Sequence, residues 1–257
     1  MNDDVTRRVQ ARYLDLLERS ILNSIYGESK IETTLQGILQ RFRHPYLTRK
    51  GAFPWPLRAH SMIGEKRLRN VRELVERTLR ENIPGDYIET GVWRGGACIM
   101  MRGVLEAYDV RDRQVICADS FEGLPRPDAK SFPADRGDRL FAFEELAVPV
   151  EAVRQNFAAY DLLDEQVLFL KGLFKDTLPG LGSRRFSLIR LDGDMYQSTM
   201  EALDNLYDRL SERGFVIVDD YGGLRNCAKA VHDFLDRRNL RPEIKAIDAC
   251  GVWWQKT

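Results

Sequence analysis

From residue 86 to the end of the chain, short apolar runs alternate with helix-length segments, and this alternation leaves few folds open to it. DYIET (86–90), QVICAD (114–119), VLFLK (167–171), FSLIRLD (186–192) and GFVIVDD (214–220) are apolar and rich in β-formers, as strands buried on both faces are. Between them stand the helical stretches GGACIMMRGVLEAY, VEAVRQNFAAY and STMEALDNLYDRL, and NCAKAVHDFLDRR follows the fifth strand. Right-handed crossovers of this kind build an α/β fold, a mostly parallel sheet with helices on both faces. The tail, PEIKAID then GVWWQK, reads as two further strands forming an antiparallel edge pair, with Trp253 and Trp254 packing the last of them.

Residues 1–64 follow a different pattern and form an N-terminal helical extension. YLDLLERSILNSIYG sets Tyr13, Leu14, Leu17, Ile21, Leu22 and Ile25 at helical spacing before Gly27, an amphipathic helix whose exposed apolar stripe needs a cover and suggests a partner surface. From 41 to 64, Pro45, Pro54 and Pro56 forbid a regular helix or a central strand, so the chain approaches the domain as loop. A helix from about Glu65 to Glu81 then opens the domain that occupies 65–257. The long stretch 121–149 carries no periodic pattern, and an insert of that length in a compact domain reads as a lid.

Charge and cysteine usage remove several function classes. The 39 basic and 39 acidic residues cancel, so no bulk positive field calls for nucleic acid or an anionic membrane. No apolar run reaches the roughly 20 residues that cross a bilayer, and MNDDVTRRVQ lacks the apolar core of a secretion signal, so a cytoplasmic protein is expected. Cys98, Cys117, Cys227 and Cys250 lie far apart without CxxC spacing, which argues against a zinc site or a disulfide framework.

The informative residues are the acids. Four of the five parallel strands end in one or run straight into one: Glu89, Asp119, Asp192 with Asp194, and Asp219 with Asp220. Sheets of this type bind ligands outside the carboxyl ends of their strands, where strand order reverses, so these carboxylates belong to the ligand edge. In the first crossover, ETGVWRGG, Gly91, Gly95 and Gly96 allow a tight turn and close approach of a ligand, although a flexible turn needs glycines equally. Asp119, closing the next strand, is placed to accept hydrogen bonds from a ribose diol. The absence of GxGxxG favours an adenosine without pyrophosphate over a dinucleotide. If the fourth and fifth strands are neighbours, LDGDMY and VIVDDYGG bring Asp192, Asp219 and Asp220 together, and carboxylates that close repel unless a cation neutralises them. An oxygen-only donor set suits Mg²⁺, Ca²⁺ or Mn²⁺. The same Asp-Gly and Asp-Asp pairs are also ordinary turn residues, and a nucleoside-binding module without catalysis stays open at this level.

Taken together, the motifs make the sequence resemble the macrocin O-methyltransferases, the TylF type of sugar methyltransferase. The likeness runs through YLDLLERSILNSIY, AHSMIG, ETGVWRGG, ADSFEGLP, VRQNFAAYDLLDEQVLFLKGLFKDTLP, RLDGDMYQSTMEAL and GFVIVDDYGG, with Ser61 standing where threonine is expected. The resemblance implies a seven-stranded, Rossmann-like class I methyltransferase using S-adenosylmethionine and Mg²⁺, or another hard divalent cation. It implies methylation of a sugar hydroxyl, on a glycosylated natural product or a nucleotide sugar of an antibiotic pathway, by a homodimer or higher homo-oligomer. Asp192, Asp219 and Asp220 correspond to the metal ligands and Asp194 to the general base. Met62, Ile63, Glu89, Thr90, Gly91, Asp119, Ser120, Gly172, Phe174 and Asp192 are the expected surroundings of the cofactor. Tyr46, His60, Tyr196 and Gln197 are candidate acceptor contacts, though Tyr196 and Gln197 equally suit packing of their turn. His44 and His232 read as solvated or packing residues. The basic run Arg41, Arg43, Arg49 and Lys50 is either a solvated face or a contact for a nucleotide-sugar diphosphate. A catechol or other aromatic hydroxyl is the alternative acceptor, since the same carboxylates serve it.

Overall fold

The structure is a computed structural model that describes residues 3–27 and 55–257. Tyr46, His44 and the basic run Arg41, Arg43, Arg49 and Lys50 lie outside the described residues. The elements are α1 (Asp3–Ile21), α2 (Gly64–Arg80), β1 (Asp86–Thr90), α3 (Gly96–Ala107), β2 (Val115–Asp119), α4 (Val150–Ala159), β3 (Val167–Lys171) and the single-turn α5 (Phe174–Thr177). Then come β4 (Phe186–Leu191), α6 (Tyr196–Leu206), β5 (Leu210–Val218), α7 (Arg225–Arg237), β6 (Lys245–Ala246) and β7 (Val252–Gln255). They form a 7-stranded sheet in the order β3-β2-β1-β4-β5-β7-β6. The first five strands are parallel, and β7 runs antiparallel to both of its neighbours.

Strand alternation divides the core into two layers. Tyr87, Cys117, Leu188 and Ile217 face α1 to α4, while Ile88, Ile116, Ile189 and Val218 face α6 and α7. The sheet order reverses between β1 and β4. There the ladder continues past the strand ends: Asp192 N–H donates to Thr90 O at 2.8 Å and Asp219 N–H to Leu191 O at 2.9 Å. That continuation sets the acids at the strand tips level with one another.

Three expectations need correction. Most of the apolar stripe is covered within the chain: Leu14, Leu17 and Ile21 are 0, 5 and 0% accessible and share one core with α3, while Ile25 is 43% exposed. Gly103 of α3 makes the room, because a Cβ there would collide with the Leu17 side chain. Each such side chain contributes about 1.5–3 kcal/mol of burial, so this face of the helix is held by its own domain, while Val9 and Leu16 stay exposed on other faces. Secondly, α1 starts at Asp3 rather than Tyr13 and β5 at Leu210 rather than Gly214. Arg213, at φ 64, carries the irregularity that admits the earlier residues to β5.

Thirdly, 121–149 is not structureless. It contains 3-10 turns at Pro133–Asp135, Leu140–Ala142 and Glu144–Leu146. Asp135, 1% accessible, accepts from Tyr196 N–H at 2.7 Å and Asn226 Nδ2 at 2.9 Å through Oδ1, and from Gln197 N–H at 2.9 Å through Oδ2. Met195, the residue before α6, makes no capping bond of its own, so this distant carboxylate caps the helix and meets its positive end. Asp135→Ala is expected to cost about 1–3 kcal/mol, since it strands buried donors. Urea unfolding measures this, and an unchanged midpoint would mean that the insert is not pinned there.

Candidate active site

A cavity of about 500 Å³ opens over the strand tips at the point where the sheet order reverses. Its walls include His60, Met62 and Ile63 from the approach segment, Glu89 and Gly91 at β1, Asp119 and Ser120 at β2, and Gly172 and Phe174 after β3. Asp192, Asp194 and Gln197 enter from β4 and α6, and Asp219 and Asp220 from β5. Two expected residues do not reach it. Thr90 is 1% accessible and donates to the Arg190 carbonyl at 3.4 Å, because strand alternation turns it away while Glu89 faces the cavity. Tyr196 points toward α7, where its hydroxyl donates to Asp233 at 2.9 Å, so it anchors the helix.

The glycines of the first crossover serve the chain before any ligand. Gly91 has φ 87, and a Cβ there would overlap the Asp192 carbonyl; a Cβ on Gly96 would meet the His60 carbonyl. Asp119 holds the same crossover from the other side. Its Oδ2 accepts from Val92 N–H at 2.6 Å and its Oδ1 from Phe121 N–H at 2.8 Å. Burial pushes its pKa up, and the backbone N–H of Val92 works against that. His60 Nδ1 lies 2.9 Å from the Tyr160 hydroxyl, and burial, with Arg94 nearby, holds the imidazole pKa below its ordinary value.

Beneath the cavity lies a charge cluster that sequence reasoning saw only in part. Oxygens of Asp192, Asp219 and Asp220 lie within 4.8 Å of one another. Arg190, 1% accessible on β4, donates to Glu89, to Asp219 and, at 2.7 Å, to Asp192. Arg67 of α2 donates to the other Asp219 oxygen, and its Nε lies 3.1 Å from Asp248. Glu89, expected beside the cofactor, lines the cavity but spends its carboxylate on Arg190 and on the Cys98 thiol, which donates at 2.9 Å. Burial pushes Glu89 up to about 7 against the pull of Arg190, and Asp219 up to about 6. Asp194 and Asp220 are pushed well above the carboxylate range by burial and by neighbouring acids. The missed signal was an arginine inside an otherwise apolar strand, in direct register with Glu89.

The donor set suits a hard cation on two grounds. It consists of oxygens alone, and Asp220 Oδ2 is buried with no hydrogen-bond partner among the described residues. The acids also outnumber the two arginines, a surplus of carboxylates that a bound cation would offset.

A seven-stranded sheet of this order, with its last-but-one position filled by an antiparallel strand, is the architecture of the class I methyltransferases. Within that class the chain belongs to the macrocin-O-methyltransferase (TylF) family, which it matches over residues 10–256. It is 45% identical over 248 residues to mycinamicin III 3''-O-methyltransferase of Micromonospora griseorubida, covering 95% of this chain and 96% of that one. It is 47% identical over 254 residues to 8-demethyl-8-(2,3-dimethoxy-alpha-L-rhamnosyl)-tetracenomycin-C 4'-O-methyltransferase of Streptomyces olivaceus, covering 98% and 95%. To demethyldecarbamoylnovobiocin O-methyltransferase of Streptomyces niveus it is 45% identical over 246 residues, covering 95% and 93%. Among solved structures, the O-methyltransferase NovP superposes with a TM-score of 0.85 at 43% identity, over 96% of this chain and 99% of that one. Membership replaces the reading of a non-catalytic nucleoside-binding module with that of an enzyme. No helix among the described residues is long and apolar enough to cross a membrane.

Proposed function

We propose that the chain methylates a sugar hydroxyl of a glycosylated natural product in antibiotic biosynthesis, with Asp192, Asp219 and Asp220 holding Mg²⁺ or a similar hard cation. The observation that carries the metal reading is the convergence of those oxygens on the cavity floor, with a buried Asp220 oxygen left over. The acceptor reading is supported by relatives named for mycinamicin III, a rhamnosyl tetracenomycin and demethyldecarbamoylnovobiocin.

In this reading Met62, Ile63, Gly91, Asp119, Ser120, Gly172 and Phe174 surround the donor, and His60 and Gln197 face the acceptor. A sugar hydroxyl holds its proton far too tightly for a free carboxylate near pKa 4 to remove it. When bound, the cation supplies positive charge that lowers the proton affinity of the acceptor hydroxyl. Asp194 takes the proton as the oxygen attacks the donor methyl, and S-adenosylhomocysteine leaves. The cavity walls would contribute by holding donor and acceptor in line, a positioning effect that is worth several kcal/mol.

Chelator-treated enzyme assayed on glycoside and catechol panels, with and without added Mg²⁺, tests the proposal. Transfer to glycosides that returns with Mg²⁺ is expected, together with loss of calorimetric Mg²⁺ binding in Asp219→Ala. Undiminished transfer after chelation, with Mg²⁺ binding unaltered in that variant, refutes the metal site. Transfer to catechols alone refutes the sugar acceptor.

A further inference from the structure

The crossover ETGVWRGG carries two bulky residues, Trp93 and Arg94, for which the chemistry above has no task. Trp93 is held at φ 48, a conformation that β-carbon-bearing residues seldom adopt. Its indole Nε1 donates to the Glu145 carbonyl at 2.9 Å, in the insert 121–149. Arg94 turns the opposite way. Its Nη1 donates to the carbonyls of Pro56, Leu57 and Ala59 at 3.0, 3.0 and 2.9 Å, in the segment that delivers His60 and Met62 to the cavity. The guanidinium lies over the Trp93 ring, 4.2 Å from its centroid, so each side chain steadies the other. The two held segments also meet directly, with the rings of Trp55 and Phe143 5.3 Å apart.

We propose that Trp93 and Arg94 are positioning residues forming a two-sided latch, by which the donor crossover holds both 55–63 and 121–149 closed over the cavity. Seating the donor on that crossover then firms the acceptor wall, so donor and acceptor binding are coupled. The inference rests on the reading that this crossover seats the donor. Its geometric case is that adjacent residues bind two segments far apart in sequence, and that the bonds from both go to main-chain carbonyls, so they fix position and leave side chains free to select. What requires arginine is the planar guanidinium lying over the indole while its Nη1 faces those carbonyls, an arrangement that the point charge of lysine on its flexible stem does not keep.

Hydrogen exchange of the full chain, with and without S-adenosylhomocysteine, tests the latch. In wild type the product is expected to slow exchange in both segments together. Arg94→Lys is expected to speed exchange across 55–63 in the ligand-free protein and to raise the acceptor KM about tenfold, the effect of one lost hydrogen bond, with a smaller change in kcat. Trp93→Phe keeps a ring under the guanidinium but removes the donor, so faster exchange is expected around Glu145 with 55–63 left as in wild type. Unchanged exchange of 55–63 in Arg94→Lys, or an unchanged acceptor KM, overturns the latch. Calorimetric binding of the product without protection of either segment overturns the coupling. Product affinity unaltered by Asp119→Ala points instead to a misplaced donor site, and the ligand-free exchange still decides on the latch.

Discussion

Asp194→Asn is expected to lower methyl transfer by about 10²–10⁴-fold, the usual contribution of a positioned proton acceptor, while donor binding survives. The geometry makes this substitution a clean one. Asp194 occupies the left-handed region at φ 60, in the turn where Met195 N–H donates to Gly193 O at 2.6 Å. Asparagine tolerates that backbone as well as aspartate does and fills the same volume, so the turn is kept. What disappears is the ability to take a proton, since a carboxamide is not a base at neutral pH. Single-turnover transfer, calorimetry with S-adenosylmethionine and an unfolding midpoint separate chemistry from binding and from folding. Full activity in the variant would remove Asp194 from the role.

Arg190→Met is expected to destabilise the fold by about 3–5 kcal/mol, the range for removing one partner of a buried ion pair. The guanidinium is the shared counter-charge of Glu89, Asp192 and Asp219, and methionine offers them neither charge nor donors. Burial already raises Glu89 from 4.5 to about 7 with the arginine present, and without it the carboxyl rises further. A folded-state pKa above the unfolded one means that the folded protein holds the extra proton. The contribution of Glu89 to stability is therefore present below about 4.5 and lost as pH rises toward 7. In the variant that loss extends to higher pH, so the gap from wild type widens from pH 5 to pH 8. Adding Glu89→Gln to Arg190→Met recovers part of the loss at neutral pH, and denaturant titrations of the four proteins measure the coupling. A variant as stable as wild type at pH 8 would show that the acids lie in a wetter site than the structure depicts.

The strand tips were legible because a buried parallel strand is an unbroken apolar run, and an acid where the run stops marks the ligand edge. Asp192, Asp194, Asp219 and Asp220 were found that way, and the cavity gathers all four. Thr90, expected from the resemblance, and Tyr196, expected from its place just after Asp194, miss the cavity because neighbouring residues on a strand or helix point in different directions. Arg190 escapes a reading of FSLIRLD as an apolar run of β-formers, which does not ask how a charge survives in such a run. The insert was illegible for another reason: its ties are long-range polar bonds, and those from α6 to Asp135 span some 60 residues. No local pattern encodes a contact of that reach.

Gly91 has one more bearing. Its missing side chain lets the Asp192 carbonyl pack directly on the turn between β1 and α3, so the two loops meet backbone to backbone with no side chain between them. Effort to retarget this enzyme to other acceptors would therefore be wasted on either loop, because any shift in one would pull the other out of alignment. Variation has a freer hand at Leu124, Leu140 and Leu146, which line the same cavity from the insert 121–149.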